Sequence, residues 1–354
     1  MQETTASPLS KGLGRDPLWD IAKGLAIMLV VLGHSLQAGA GTTQKVSDGF
    51  LYLLIYSFNM PLFAVISGYF FSRTLKKHMP GTILSGKLKS LLLPVVLIGS
   101  ILFLVNLWAV PRPVSAGTLL KEYALTVHKT IWYDLWFLWA ILLCSLISLF
   151  IHQYLKNSPF AYIVVILLSF VTPDYFNLAG TKFLFPCFAF GLWLSSCWER
   201  IREWPDKRLY AVSALLLATF AVLFHWFTDE MQWSSTRVYI FSGILGYSPL
   251  GLIGVNLYRI VTGVCGSLTV ISVIYLLLNH FGSDNALARL FIYPGRHTKW
   301  IYIYSVYIQH YTIVKYGMAE KMGLNYTLFC ILFFLSVFTV SYGLAYLTDR
   351  YLKI

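Results

Sequence analysis

Two residues near the start of the chain, Lys23 and His34, have the types and spacing for one kind of chemistry. Eleven residues turn an α-helix through three full turns plus about 20°, so both side chains share a face, about 16 Å apart along the axis. A cation at one end of that face can hold the phosphates of an anionic cofactor. An imidazole at the other end titrates near neutrality and can act as a base on the reactive atom at the end of the cofactor's arm. The same spacing also fits a lysine snorkelling to lipid phosphates above a packing histidine. Asp20 is either a partner for Lys23 or a first-turn acid favoured by the helix dipole.

The element that carries this pair must cross a membrane. Of the 354 residues 57% are hydrophobic and 12% charged, and the mean hydropathy is +0.67. A soluble domain of this length needs more charge to coat its surface. Apolar runs of roughly 17–25 residues recur along the chain, the length of a membrane-crossing helix. Alternating ten-residue strands of the barrel type do not. The sequence predicts an all-α polytopic membrane protein with spans near 18–36, 50–72, 90–109, 132–151, 160–172, 182–197, 209–227, 260–280, 300–317 and 325–348.

Ten spans with both termini cytoplasmic place two thirds of the 27 lysines and arginines inside, as the positive-inside rule favours. An eleventh span at 237–258 would move Arg289, Arg296, Lys299, Arg350 and Lys353 outside. That segment, with four glycines and a proline, is therefore expected to be a partly buried external or re-entrant element. Residues 1–17 read as a cytoplasmic tail, the first apolar run as a retained helix rather than a signal peptide, and 1–354 as a single domain.

The net charge of +12 is scattered over helix ends, which fits membrane orientation and not nucleic-acid binding. The five cysteines show no metal-ligand spacing. Asp and Glu fall in loops or close to helix ends, which counts against ion-coupled transport. Besides His34, only His310 lies well inside a predicted span, where it can orient His34, meet the acceptor or simply pack.

The run from Asp20 to His34 resembles the first helix of the integral-membrane acyltransferase family 3, in which a basic residue and ten others precede a histidine. It is most similar to the fucose 4-O-acetylase-like branch. Three further segments resemble that family in order: Asn59-Met-Pro-Leu-Phe-Ala-Val-Ile-Ser-Gly-Tyr-Phe-Phe71, Leu135-Trp-Phe-Leu138 and Gly295-Arg-His-Thr298 before a tyrosine-rich helix. Two positions depart from the pattern. Asn59 stands where the branch usually has histidine, and Ser305 occupies the spacing of a later histidine, with His310 five residues beyond.

The resemblance implies transfer of an acetyl group, or in some relatives a succinyl group, from cytoplasmic acyl-CoA to a carbohydrate hydroxyl. The acceptor would be a unit of capsule, exopolysaccharide or lipopolysaccharide, and the place a bacterial inner membrane. Acetyl-CoA would be a substrate, and no resident cofactor or metal is implied. His34 is then the expected base, with Ser67 as a donor to the carbonyl oxygen and His310 as an accessory catalytic residue. Lys23, Arg73, Lys87 and Lys89 are expected to hold the donor. Asn59, Tyr69 and Trp136 are expected to contact substrate. Plainer roles fit several of these: topology determinants for the basic residues, helix packing for Gly68, the interfacial belt for Trp136. A transporter for lipid-linked saccharides would also have ten helices and a broken glycine-rich element, but would not need the Lys23–His34 pair.

Overall fold

The computed structural model describes residues 16–40, 49–109, 115–175, 178–228, 231, 238–243, 246–316 and 322–352, and within these all side chains but those of 310–316 and 352. Among the described residues the regular elements are helical throughout. In chain order they are α1 (Pro17–Gly39), α2 (Phe50–Lys77), α3 (Pro80–Lys87), α4 (Leu93–Ala109), α5 (Ala116–Lys129), α6 (Trp136–Tyr154) and α7 (Pro159–Val171). There follow α8 (Leu178–Arg202), α9 (Asp206–His225), α10 (Pro249–Phe281), α11 (Ala286–Arg296), α12 (Thr298–Tyr316) and α13 (Tyr326–Leu352). One π-helical turn, Leu88–Leu92, joins α3 to α4, and another, Thr130–Asp134, follows α5.

Each of the ten expected spans falls on one of these helices. Among the described residues eight helical stretches are long and apolar enough to cross a bilayer: α1, α2, the α3–α4 run, α6, α8, α9, α10 and α13. The apolar α7 has only 13 residues, and the tyrosine-rich α12 is not among the eight. Large apolar side chains face outward on several of them, such as Ile101, Leu104 and Trp108 on α4 and Leu215, Leu217 and Val222 on α9. In its most apolar stretch α9 is 11% buried, where α1 and α2 are 61% buried. Lipid, not water, suits such faces. The protein is a multi-pass α-helical membrane protein.

The chain divides into two compact units. The first comprises the described parts of Met1–Ile66, Cys197–Gln232 and Val261–Lys353. Its α1 starts at Pro17, pre-set for a first helical position, and Asp16 caps it by accepting from the Leu18 amide at 3.1 Å. From there α1 packs against α11, α12 and α13. The α1–α11 seam is the tightest. A Cβ on Gly24 would overlap the Phe291 carbonyl oxygen, and one on Gly295 would overlap that of Asp20. The two backbones therefore touch at two points, each open only to glycine. At the far end of α1, Leu36 and Ala38 share a core with Tyr52, Ile55, Phe329 and Cys330.

The second unit comprises the described parts of Ser67–Ser196 and Trp233–Ile260. There α4 lies against α5, and α6 against the Leu88–Leu92 turn. Gly68 backs onto the Phe188 carbonyl, where a side chain would clash.

The segment 237–258 is not one element. Gly243 (φ 63°) and Gly246 (φ 72°) hold left-handed backbone, but from Pro249 the chain runs unbroken through α10 for 33 residues. A proline at the first helical position starts a helix instead of breaking it, and the apolar residues behind it sustain the rest. Residues 237 and 244–245 of that segment lie outside the described residues, as do 1–15 of the expected tail.

Candidate active site

Both ends of the Lys23–His34 face are built up in the first unit. At the lower end the Lys23 ammonium donates to the Asp20 carboxylate at 2.8 Å. Asp20 is 3% exposed, and its second oxygen accepts from Nε of Arg296 at 3.4 Å. A carboxylate this deeply buried is costly unless paired, and here it is paired twice.

At the upper end Nδ1 of the half-buried His34 lies 2.8 Å from Oε1 of Gln37, whose amide nitrogen donates to the Tyr52 hydroxyl at 3.0 Å. With its oxygen toward the ring the Gln37 amide accepts from Nδ1, and the neutral imidazole in that arrangement keeps its lone pair at Nε2. That is the tautomer a general base needs at Nε2.

Neighbouring helices fix the turn of α1 that carries His34. Gln309 on α12, 2% exposed, donates to the Val31 carbonyl at 2.9 Å and to the Ser35 hydroxyl at 3.1 Å. From α13, the Tyr326 hydroxyl donates to the Leu36 carbonyl at 3.3 Å. Asn59 on α2 is buried beside α1. With its amide nitrogen toward the Ala26 carbonyl it donates there at 3.1 Å and accepts from the Val30 amide at 3.3 Å. Asn59 thus clips α2 to α1.

His310 lies in α12, with its side chain outside the described residues. Ser305 is buried and donates to the Tyr302 carbonyl of its own helix. The other expected site residues belong to the second unit. Ser67 is half-buried. Tyr69 is fully buried and accepts from Arg73 at 2.7 Å, with the guanidinium 4.9 Å from its ring centre. Lys87 sits 4.8 Å over the Phe71 ring, and Lys89 is exposed. Half-buried Trp136 lies across Gly180.

Sequence reasoning missed Gln37, Tyr52, Gln309 and the contact of Arg296. Gln37 had a signal, since a residue three positions after a helical histidine shares its face. Gln309 and Arg296 had none, because only the tertiary fold brings them to α1. It also passed over two buried cations of the second unit: Lys182, paired with Asp174, and Arg259, 5.1 Å over the Phe183 ring.

One helix thus carries an ion-paired Lys23 and, three turns further on, a hydrogen-bonded imidazole at His34. A protein-family profile described as an acyltransferase domain matches residues 17–346, and the chain belongs to that family.

Among curated proteins the chain is similar to nodulation protein NolL of Sinorhizobium fredii, 29% identical over 224 residues, which is 61% of this chain and 57% of the relative. It is also similar to nodulation protein NolL of Mesorhizobium japonicum, 25% identical over 256 residues, 67% of this chain and 66% of the relative. The chain thus spans less than two thirds of the length of either. No solved structure matches it.

Proposed function

We propose that the protein is a membrane O-acyltransferase of the fucose 4-O-acetylase-like branch. It moves acetyl from cytoplasmic acetyl-CoA to a hydroxyl of a cell-surface glycan, or of its lipid-linked precursor, at a bacterial inner membrane. The observation that carries this reading is the His34–Gln37–Tyr52 chain of hydrogen bonds on the helix that also holds Lys23. Membership of the acyltransferase family supports it.

In this mechanism Lys23 receives the phosphate end of the donor, and the thin pantetheine arm runs along α1 toward His34. Nε2 of His34 takes the proton from the acceptor hydroxyl as its oxygen attacks the thioester carbonyl. The tetrahedral intermediate collapses with loss of the C–S bond, and the imidazolium returns its proton to the departing CoA thiolate. The products are the acetyl ester and free CoA, and His34 is restored as a base. Gln37 keeps the imidazole in the reactive tautomer between turnovers. Arg73, Lys87 and Lys89 contribute positive field that favours an anionic donor. Ser67 and His310 are proposed as accessory catalytic groups. Asn59, Tyr69 and Trp136 are proposed as groups that shape the substrate path.

The test uses the chain in nanodiscs, with acetyl-CoA binding and CoA release measured for wild type, Lys23→Ala and His34→Ala. Lys23→Ala is expected to weaken binding, and His34→Ala to bind donor but release no CoA. Wild type that binds neither acetyl-CoA nor succinyl-CoA would sink the reading and favour a saccharide transporter.

A further inference from the structure

The cluster at the lower end of α1 holds more charge than a topology anchor requires. Asp20 is an acid in the first turn of a helix and pairs with Lys23 on its own turn. That pair alone is neutral. The structure adds Arg296, from 276 residues away, on the second oxygen of the same carboxylate, which leaves the cluster with one net positive charge.

Arg296 meets Asp20 through Nε. Among the described residues that contact leaves unused the two terminal NH2 groups, the planar fork that matches phosphate. Its side chain is 43% exposed, against 19% for Lys23 and 4% for Asp20. The order of burial is that of a site with an acid at its floor and a guanidinium at its mouth. The frame is rigid as well. Gly295, next to Arg296, has its backbone against the Asp20 carbonyl, and Gly24, next to Lys23, has its backbone against the Phe291 carbonyl. The backbones that carry the two cations are therefore held together, and Asp20 pairs with both side chains, so less ordering is required when an anion binds.

We infer that Arg296 and Lys23 together form the binding site for the phosphate groups of the donor, with Asp20 holding both in place. The inference rests on the acyl-CoA reading above and adds to it a second binding residue from the other end of the chain. A ligand with several phosphates suits two cations set around one carboxylate, since each can take a separate phosphate oxygen.

The experiment compares two donors with the same thioester, acetyl-CoA and acetyl-pantetheine, which has no phosphates. KM and kcat are measured for wild type, Arg296→Gln and Arg296→Lys in nanodiscs. Wild type is expected to have a much lower KM for acetyl-CoA. Arg296→Gln is expected to raise that KM roughly ten- to hundredfold, the range of a charge-assisted hydrogen bond, so that the KM ratio between the two donors narrows. Arg296→Lys is expected to recover part of the ratio, because it keeps the charge and loses the fork. A ratio unchanged in Arg296→Gln, with both donors impaired alike or neither affected, would overturn the assignment while the acyl-CoA reading stands. Wild type that turns over neither donor would overturn that reading and the assignment with it.

Discussion

At the lower end of the Lys23–His34 face the interacting groups are charged: a buried carboxylate between an ammonium and a guanidinium. At the upper end they are neutral: an imidazole, a carboxamide and a phenol in series. One helix carries both. The difference matches two tasks. Binding an anion calls for fixed positive charge. Moving a proton calls for a base whose lone pair is aimed but not already neutralised by an ion pair, and a carboxamide aims an imidazole without charging its surroundings.

The largest effect that would sharpen this contrast is loss of the proposed base. His34→Ala is expected to lower kcat by about 10²–10⁴, the usual worth of a general base, with donor affinity retained. CoA release and equilibrium binding, measured on the same preparation, check it. Equal loss of both would erase the distinction between the ends. Next comes Lys23→Ala, expected to weaken acetyl-CoA binding roughly ten- to hundredfold, with a smaller deficit at high ionic strength where the wild-type advantage is itself screened.

The seam that holds the charged end should respond in stability. Gly24→Ala forces a methyl group into the Phe291 carbonyl, and overpacking of this kind costs about 1–3 kcal/mol, read as a fall in thermal midpoint. A variant as stable as wild type would show that α11 can move off α1. The smallest effects belong to the neutral relay. Gln37→Leu is expected to lower kcat up to about tenfold with little change in donor KM, and Tyr52→Phe less than that, since each removes one neutral hydrogen bond. A KM effect larger than the kcat effect would make Gln37 a binding residue instead of a positioning one.

Much of this was legible in the sequence because membrane helices are written in composition. The expected spans coincide with helices, and the Lys23–His34 register follows from helical periodicity alone. The family resemblance, read from four short motifs, agrees with a profile match across 17–346. What could not be read were contacts made by distant residues. Arg296 and Gln309 look like an ordinary loop-flanking cation and a helix glutamine until the fold brings them to α1. Asn59 stood out as a departure from the family pattern, yet its hydrogen bonds to the α1 backbone follow only from how close α2 lies. In the segment 237–258 position decides what glycine and proline do: Gly243 and Gly246 hold left-handed backbone ahead of α10, Pro249 opens it, and Gly251 and Gly254 sit inside it without breaking it.

The length of α10 has a mechanical consequence. Its 33 residues rise about 50 Å at 1.5 Å each, well beyond a hydrocarbon core of about 30 Å. Such a helix must lean steeply, stand clear of the membrane at one end, or draw the surrounding lipid into a thicker collar. Acyl-chain length in the host membrane therefore becomes a variable that acts on the protein directly. Reconstitution into lipids of graded chain length is expected to change activity without any change of donor or acceptor.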